Sequence, residues 1–273
     1  MTGENVFDPT GTEDDEVKAC CAAAYASDVV ALLLGDSYHP GGTSLTRRLA
    51  DGLDLGEGHR VLDVASGRGT TALLLAATYG VEVDGVDYSA ANTALAQGAA
   101  AAAGLIEHTT FTTGDAEHLP YPDRAFDAVV CECALCTFPG KAQAAAEFAR
   151  VLKPGGRLGI TDVTAAPDQL PPELGTLAAR IACIADARPL DGYERILAKA
   201  GLRTLRTEHH DAAMIRMIDQ IEARLNLLRM TAAAKLADAG VDLDATPAVL
   251  AAARAAVADH ALGYALLIAE KTG

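Results

Sequence analysis

Gly67 and Gly69, with Asp63 just before them and Asp87 and Asp115 farther on, are residues whose types and spacing could do chemistry. Glycines at 67 and 69 admit backbone angles closed to other residues and let a ligand come up to the main chain. The residues after them, Leu73, Leu74 and Leu75, open an apolar helix whose free N–H groups and positive dipole end suit an anion. Asp87 follows Gly69 by 18 positions, at a strand end, where a carboxylate can accept both hydroxyls of a ribose. Together these features describe a nucleoside-cofactor site. The second chemical feature is sulfur. Cysteines stand at 20 and 21, at 131, 133 and 136, and at 183. Thiolates are soft ligands and nucleophiles, although a lone cysteine in an alanine-rich core also packs as a small hydrophobe.

The elements that must position these groups alternate. Val61, Leu62 and Val64 predict a buried strand into the glycine loop, and 81–86 a second strand ending at Asp87. A helix over 90–103 stops at Gly104. A short strand at Phe111 precedes Asp115. Phe126 to Val130 opens a fourth strand, and 157–163 forms a fifth after the Lys153-Pro154-Gly155-Gly156 turn. Such alternation implies a parallel sheet with right-handed crossovers. Cys131 and Cys133, two apart at the end of the fourth strand, share a face if that strand is regular. Ahead of the sheet, 16–34 and 44–53 read as helices. Beyond it, helices are expected near 174–185 and 190–200, strands at 201–208 and 264–270, and helix through most of 214–260. The resulting division is an acidic tail (1–15), an N-terminal helical extension (16–56), a core (57–208), a helical cap (209–262) and a final core strand (263–273).

Half of the residues are hydrophobic, enough for a full core. A formal charge of −15 argues against nucleic acid or an anionic membrane as partner, because phosphates would be repelled. No apolar run reaches the length of a membrane span and the N-terminal residues are unlike a signal peptide, so a cytoplasmic protein with reduced cysteines is expected. The sequence leaves the oligomeric state open.

The glycine loop stops at Gly67-Arg68-Gly69, short of a dinucleotide fingerprint. Val61-Leu62-Asp63-Val64-Ala65-Ser66-Gly67-Arg68-Gly69, Gly114-Asp115-Ala116-Glu117, Phe126-Asp127-Ala128-Val129-Val130 and Arg150-Val151-Leu152-Lys153-Pro154-Gly155-Gly156 follow in order. That succession, over 58–165, resembles the class I S-adenosylmethionine-dependent methyltransferases. The resemblance implies an α/β fold, a Rossmann-like doubly wound sheet of seven strands, with S-adenosyl-L-methionine as cofactor and no catalytic metal. It puts Asp63, Ala65, Gly67 and Gly69 at the methionine end, Asp87 with Tyr88 at the ribose, Asp115 and Ala116 at the adenine, and Cys131 beside the cofactor. Ala65 departs from the family, which has its first glycine there. The resemblance also implies that Tyr25 and His39 close the N-terminal segment over the cofactor.

A second resemblance concerns the methyl acceptor. Val130-Cys131-Glu132-Cys133-Ala134-Leu135 and Ile181-Ala182-Cys183-Ile184-Ala185-Asp186-Ala187 resemble segments of the arsenite methyltransferases. Ala19-Cys20-Cys21 is similar to an upstream segment of the same family. This implies a trivalent arsenical held by Cys133, Cys183 and either Cys21 or Cys20, whose lone pair would attack the methyl group without a general base. Cys136 lies outside that pattern, and 131, 133 and 136 could instead hold another soft metal. The alternatives are a small-metabolite O-, N- or C-methyltransferase with His209, His210 or Glu132 as base, and a cofactor- or metalloid-binding protein without turnover.

Overall fold

The computed structural model describes residues 13–35, 38–175, 184, 186–232, 236 and 244–273. Seven strands form one sheet: β1 (Arg60–Val64), β2 (Glu82–Asp87), β3 (Thr109–Thr113), β4 (Phe126–Glu132), β5 (Leu152–Ala165), β6 (Leu202–His209) and β7 (Leu262–Lys271). Their order is β3-β2-β1-β4-β5-β7-β6. The first five are mutually parallel, while β7 runs antiparallel between β5 and β6. The chain reverses direction in sheet order at β1, and it is there, beside β4, that open α/β sheets bind their ligands.

Among the described residues, three helices precede the sheet: α1 (Glu13–Ala26), α2 (Asp28–Leu34) and α3 (Gly42–Ala50). The expected single helix over 16–34 is broken. Ser27 caps α2, its hydroxyl accepting from the Val30 amide, because a serine side chain competes for backbone donors and so starts a new helix. Between strands run α4 (Thr70–Tyr79), α5 (Ala90–Ala103), α6 (Lys141–Val151) and α7 (Leu190–Lys199). The C-terminal helical region holds α8 (Asp211–Thr231) and α9 (Thr246–Ala258), packed on each other, and α8 also packs against α2. There the Arg224 guanidinium donates to the Leu33 carbonyl at 2.9 Å. Of the helix expected near 174–185, Leu174 and Gly175 instead lie in a short 3-10 turn (Pro172–Gly175), and 176–183 and 185 lie outside the described residues, as does the tail over 1–12, while residues 13–15 belong to α1.

Side chains alternate across the strands, so each face of the sheet has its own core. Val61, Ala128, Val130, Val163, Tyr264 and Leu266 point to the face covered by α3, α4 and α5. Leu62, Val129, Cys131, Leu158 and Ile160 point to the face covered by α6 and α7. The same parity puts Asp63, Glu132 and Thr161 on the first face. The register aligns Asp63 with Val130, and Glu132 with Thr161.

Candidate cofactor and acceptor site

A cavity opens at the C-terminal ends of β1, β2 and β4, roofed by α1 and by residues 38–39. Its floor is the turn after β1. Ala65 adopts φ +57°, Gly67 +53° and Gly69 +83°. A β-carbon on Gly69 would stand 2.9 Å from the Phe111 ring and 3.0 Å from Ala96, so only glycine fits there. Ala65 carries its side chain into the left-handed region, which costs a non-glycine residue roughly 1–2 kcal/mol.

Asp63 has 2 % of its surface exposed. The Ala72 amide donates to its carboxylate, but Oδ2 is buried with no hydrogen-bond partner among the described residues. Burial, then the negative charge of Glu132, pushes its acidity well above the usual carboxylate range. Such an atom suits an ammonium group. Asp87 accepts from the Gly67 amide (2.8 Å), the Ser89 amide (2.8 Å) and the Asn92 side chain (3.2 Å). Burial raises its pKa against the pull of those bonds. It thus fixes the glycine turn while its carboxylate, with Tyr88, still faces the cavity.

Asp115 and Ala116 line the far end. Asp115 accepts from the Glu117 amide and from Lys18 of α1, whose ammonium lies 2.8 Å from Asp115 Oδ2 and 2.6 Å from Glu117 Oε2. Burial lowers the Lys18 pKa, but the two acids outweigh it and hold the group charged. Lys18, Cys21, Ala22 and Tyr25 all line the cavity, as the spacing of one helical face requires. Arg68 sits over the Tyr38 ring at 5.8 Å, and Tyr38 meets Tyr25 edge-on.

At the acceptor side stands Glu132, with 4 % of its side chain exposed. Three hydroxyls converge on it: Thr71 and Thr46 on Oε2 at 2.6 and 3.0 Å, and Thr161 on Oε1 at 3.2 Å. Tyr264 donates to Thr161 at 3.0 Å, and His39 Nε2 lies 3.7 Å from Oε2. The sequence pattern marked Glu132 but not its threonines, which come from α3, α4 and β5 and share no local spacing. Lys18 was equally unmarked, although its place one turn from Cys21 was a usable signal.

The cysteines separate. Cys133 and Cys21 line the cavity. Cys131 does not, and the expectation that Cys131 and Cys133 share a face is overturned. β4 ends at Glu132, and Cys133 takes φ +53°, which breaks the alternation and turns it to the opposite face. Cys131 is fully buried in the α6–α7 core, and burial followed by the charges of Asp162 and Asp63 pushes its thiol well above the usual range. It does not line this cavity. Cys136 is buried in the α3–α5 core, so 131, 133 and 136 do not gather around one point. The Cys20 side chain and all of Cys183 lie outside the described residues. His209 and His210 are also displaced from their expected role. His209 is exposed on β6, His210 pairs with Glu208 at 3.2 Å, and neither lines the cavity, whereas His39 does.

The family described as a methyltransferase domain matches residues 61–156. The methyltransferase GfsG of Streptomyces halstedii is 34 % identical over 62 % of this chain and 62 % of its own length. The 27-O-demethylrifamycin SV methyltransferase of Amycolatopsis mediterranei is 35 % identical over 59 % of this chain and 60 % of its own. This chain thus spans about three fifths of these curated relatives. Among solved structures, the [4+2]-cyclase SpnF superposes with a TM-score of 0.77 at 26 % identity, covering 97 % of this chain and 98 % of that one. Residues 61–156 thus carry a methyltransferase domain, and the chain has the fold of the class I S-adenosylmethionine-dependent methyltransferases. The cofactor of that domain is S-adenosyl-L-methionine, and the chemistry of the cavity fits such a molecule, with a buried carboxylate, a glycine turn and two further acids along its wall. Among the described residues no helix is long and apolar enough to cross a membrane.

Proposed function

We propose that this protein transfers a methyl group to a small acceptor, and that the acceptor is a trivalent arsenical held by thiols. S-adenosylmethionine bound in the cavity supplies a methyl group on a sulfonium. Asp63 would hold the ammonium and Asp87 the ribose, with Asp115 and the Ala116 backbone at the adenine. One observation carries the reading of the acceptor: Cys21 of α1 and Cys133 after β4, 112 positions apart in sequence, line one cavity with Asp63 and Gly67. Trivalent arsenic is thiophilic and keeps a lone pair opposite its sulfur ligands, so two converging thiols can aim that pair at the methyl group. The protein's contribution is then alignment rather than proton transfer. Left-handed backbone at a non-glycine residue is a strain that clusters at functional positions, and at Cys133 it delivers the thiol to the cavity.

A second reading, an oxygen or nitrogen acceptor on an organic metabolite, is favoured by His39 and Glu132 in the same wall. His39 Nε2 could take the acceptor's proton with the carboxylate beside it. The Amycolatopsis relative, named for methylation of a rifamycin, lends it support. The deciding experiment measures S-adenosylhomocysteine production with arsenite and excess thiol for wild type, Cys21→Ser, Cys133→Ser and His39→Gln. The arsenical reading expects turnover in the wild type, loss in both serine variants and retention in His39→Gln. Absence of arsenite turnover by the wild type would refute it.

A further inference from the structure

We propose that Glu132 is a specificity residue for the charge state of the cofactor, favouring the sulfonium donor over the neutral thioether left after transfer. The inference rests on the cofactor site and not on the identity of the acceptor.

Glu132 is a nearly buried carboxylate in the cavity wall. Thr46, Thr71 and Thr161 all donate to it. These donors are neutral hydroxyls, which leave a carboxylate's charge uncancelled. His39 stands 3.7 Å away and neutralises it only when protonated. A second acid, Asp63, lies on the same face of the sheet one strand over. The two are near enough that the Glu132 charge is the second largest influence, after burial, raising the Asp63 pKa. Two acids so placed repel each other and call for two positive centres a few atoms apart. The methionine part of the cofactor has that form, with an ammonium and a sulfonium separated by three carbons. Asp63 presents the unpartnered oxygen suited to the ammonium, and Glu132 provides the field for the sulfonium.

The spent product keeps the ammonium and loses the sulfonium charge. Charge in a dry site acts far more strongly than in water, so the attraction of Glu132 separates donor from product while Asp63 treats them alike. The physical consequence is product release: a site that prefers the charged donor does not stall on S-adenosylhomocysteine.

The test is calorimetric titration of wild type and Glu132→Gln with S-adenosylmethionine, with sinefungin (which carries an amine in place of the sulfonium) and with S-adenosylhomocysteine. Glutamine keeps the size and removes the charge. The expected result is a ten- to hundredfold loss for the two charged ligands, about 1.4–2.8 kcal/mol, and less than threefold for the thioether. Equal losses for all three ligands, or no loss, would overturn the proposal. Should Glu132→Gln not fold, the wild type alone decides: it must bind S-adenosylmethionine at least as tightly as S-adenosylhomocysteine, and a tenfold preference for the product refutes the role of Glu132.

Discussion

Replacing Asp63 by asparagine should make the ligand-free protein more stable and cofactor binding weaker. Its carboxylate is buried beside Glu132, keeps one backbone donor and has one oxygen without a partner. An unsatisfied buried polar atom costs about 1–3 kcal/mol. Asparagine keeps the acceptor for the Ala72 amide, removes the charge and leaves a neutral amide in the remaining position. The gain comes from removing the buried charge, and for a chain of this size each kcal/mol raises Tm by about 2–4 °C. The gain depends on pH in a definite direction. The folded pKa of Asp63 lies above its ordinary value of 3.8. As pH rises past that value the unfolded chain ionises first, and the wild type loses stability until the folded value is passed. Variant and wild type should therefore converge below about pH 3.8 and separate above it. Binding moves the other way, since a charged hydrogen bond to the ammonium is worth about 1.5–3 kcal/mol, roughly 10- to 150-fold in Kd. Thermal unfolding across pH without ligand, and calorimetry with S-adenosylhomocysteine, measure both arms. A variant less stable than wild type at neutral pH, or one that binds normally, would refute the assignment of Asp63 as a strained carboxylate waiting for a cation.

Ala65→Gly should raise Tm by about 2–4 °C, corresponding to about 1 kcal/mol, because the left-handed strain it relieves exceeds the added freedom of the unfolded glycine, about 0.4–1 kcal/mol; a lower Tm would show that the methyl group is needed for packing. Lys18→Met strands Asp115 and Glu117 without their shared cation, so thermolysin should cut within Glu13–Ala26 at least about tenfold faster, following the weakened closure of α1. Unchanged protection would mean that other contacts hold the helix.

Much of the sheet was legible in the sequence because buried parallel strands are short apolar runs between glycine turns. Val61 to Val64 and Phe126 to Val130 are of this kind. The start of β5 at 152–156 was not legible, since Lys153-Pro154-Gly155-Gly156 carries turn residues, and the pairing with β4 skips from Leu152 to Arg157. At one end of the site, Asp63, Gly67, Asp87 and Asp115 all meet one cavity, while Gly69 lies behind the turn against Phe111 and Ala96. The acceptor end was harder. Period-two reasoning failed at Cys133 because one left-handed residue reverses the facing of everything after it. His209 and His210 looked chemical by type, but β6 is the sheet's far edge, four strands removed from β1. Thr46, Thr71 and Thr161 become a unit only through the tertiary fold.

The placement of β7 has a consequence for how the protein is made. β5 and β6 are joined only through β7, which leaves the ribosome roughly a hundred residues after β5. At about 5–20 residues per second, the outer edge of β5 stays open for roughly 5–20 s, a row of unpaired amides and carbonyls available to any other strand. The same delay applies to the cavity, because Tyr264 on β7 supports Thr161, and Thr161 supports Glu132. A nascent chain arrested before residue 262 could assemble the glycine turn yet would still lack the prop behind its acceptor wall.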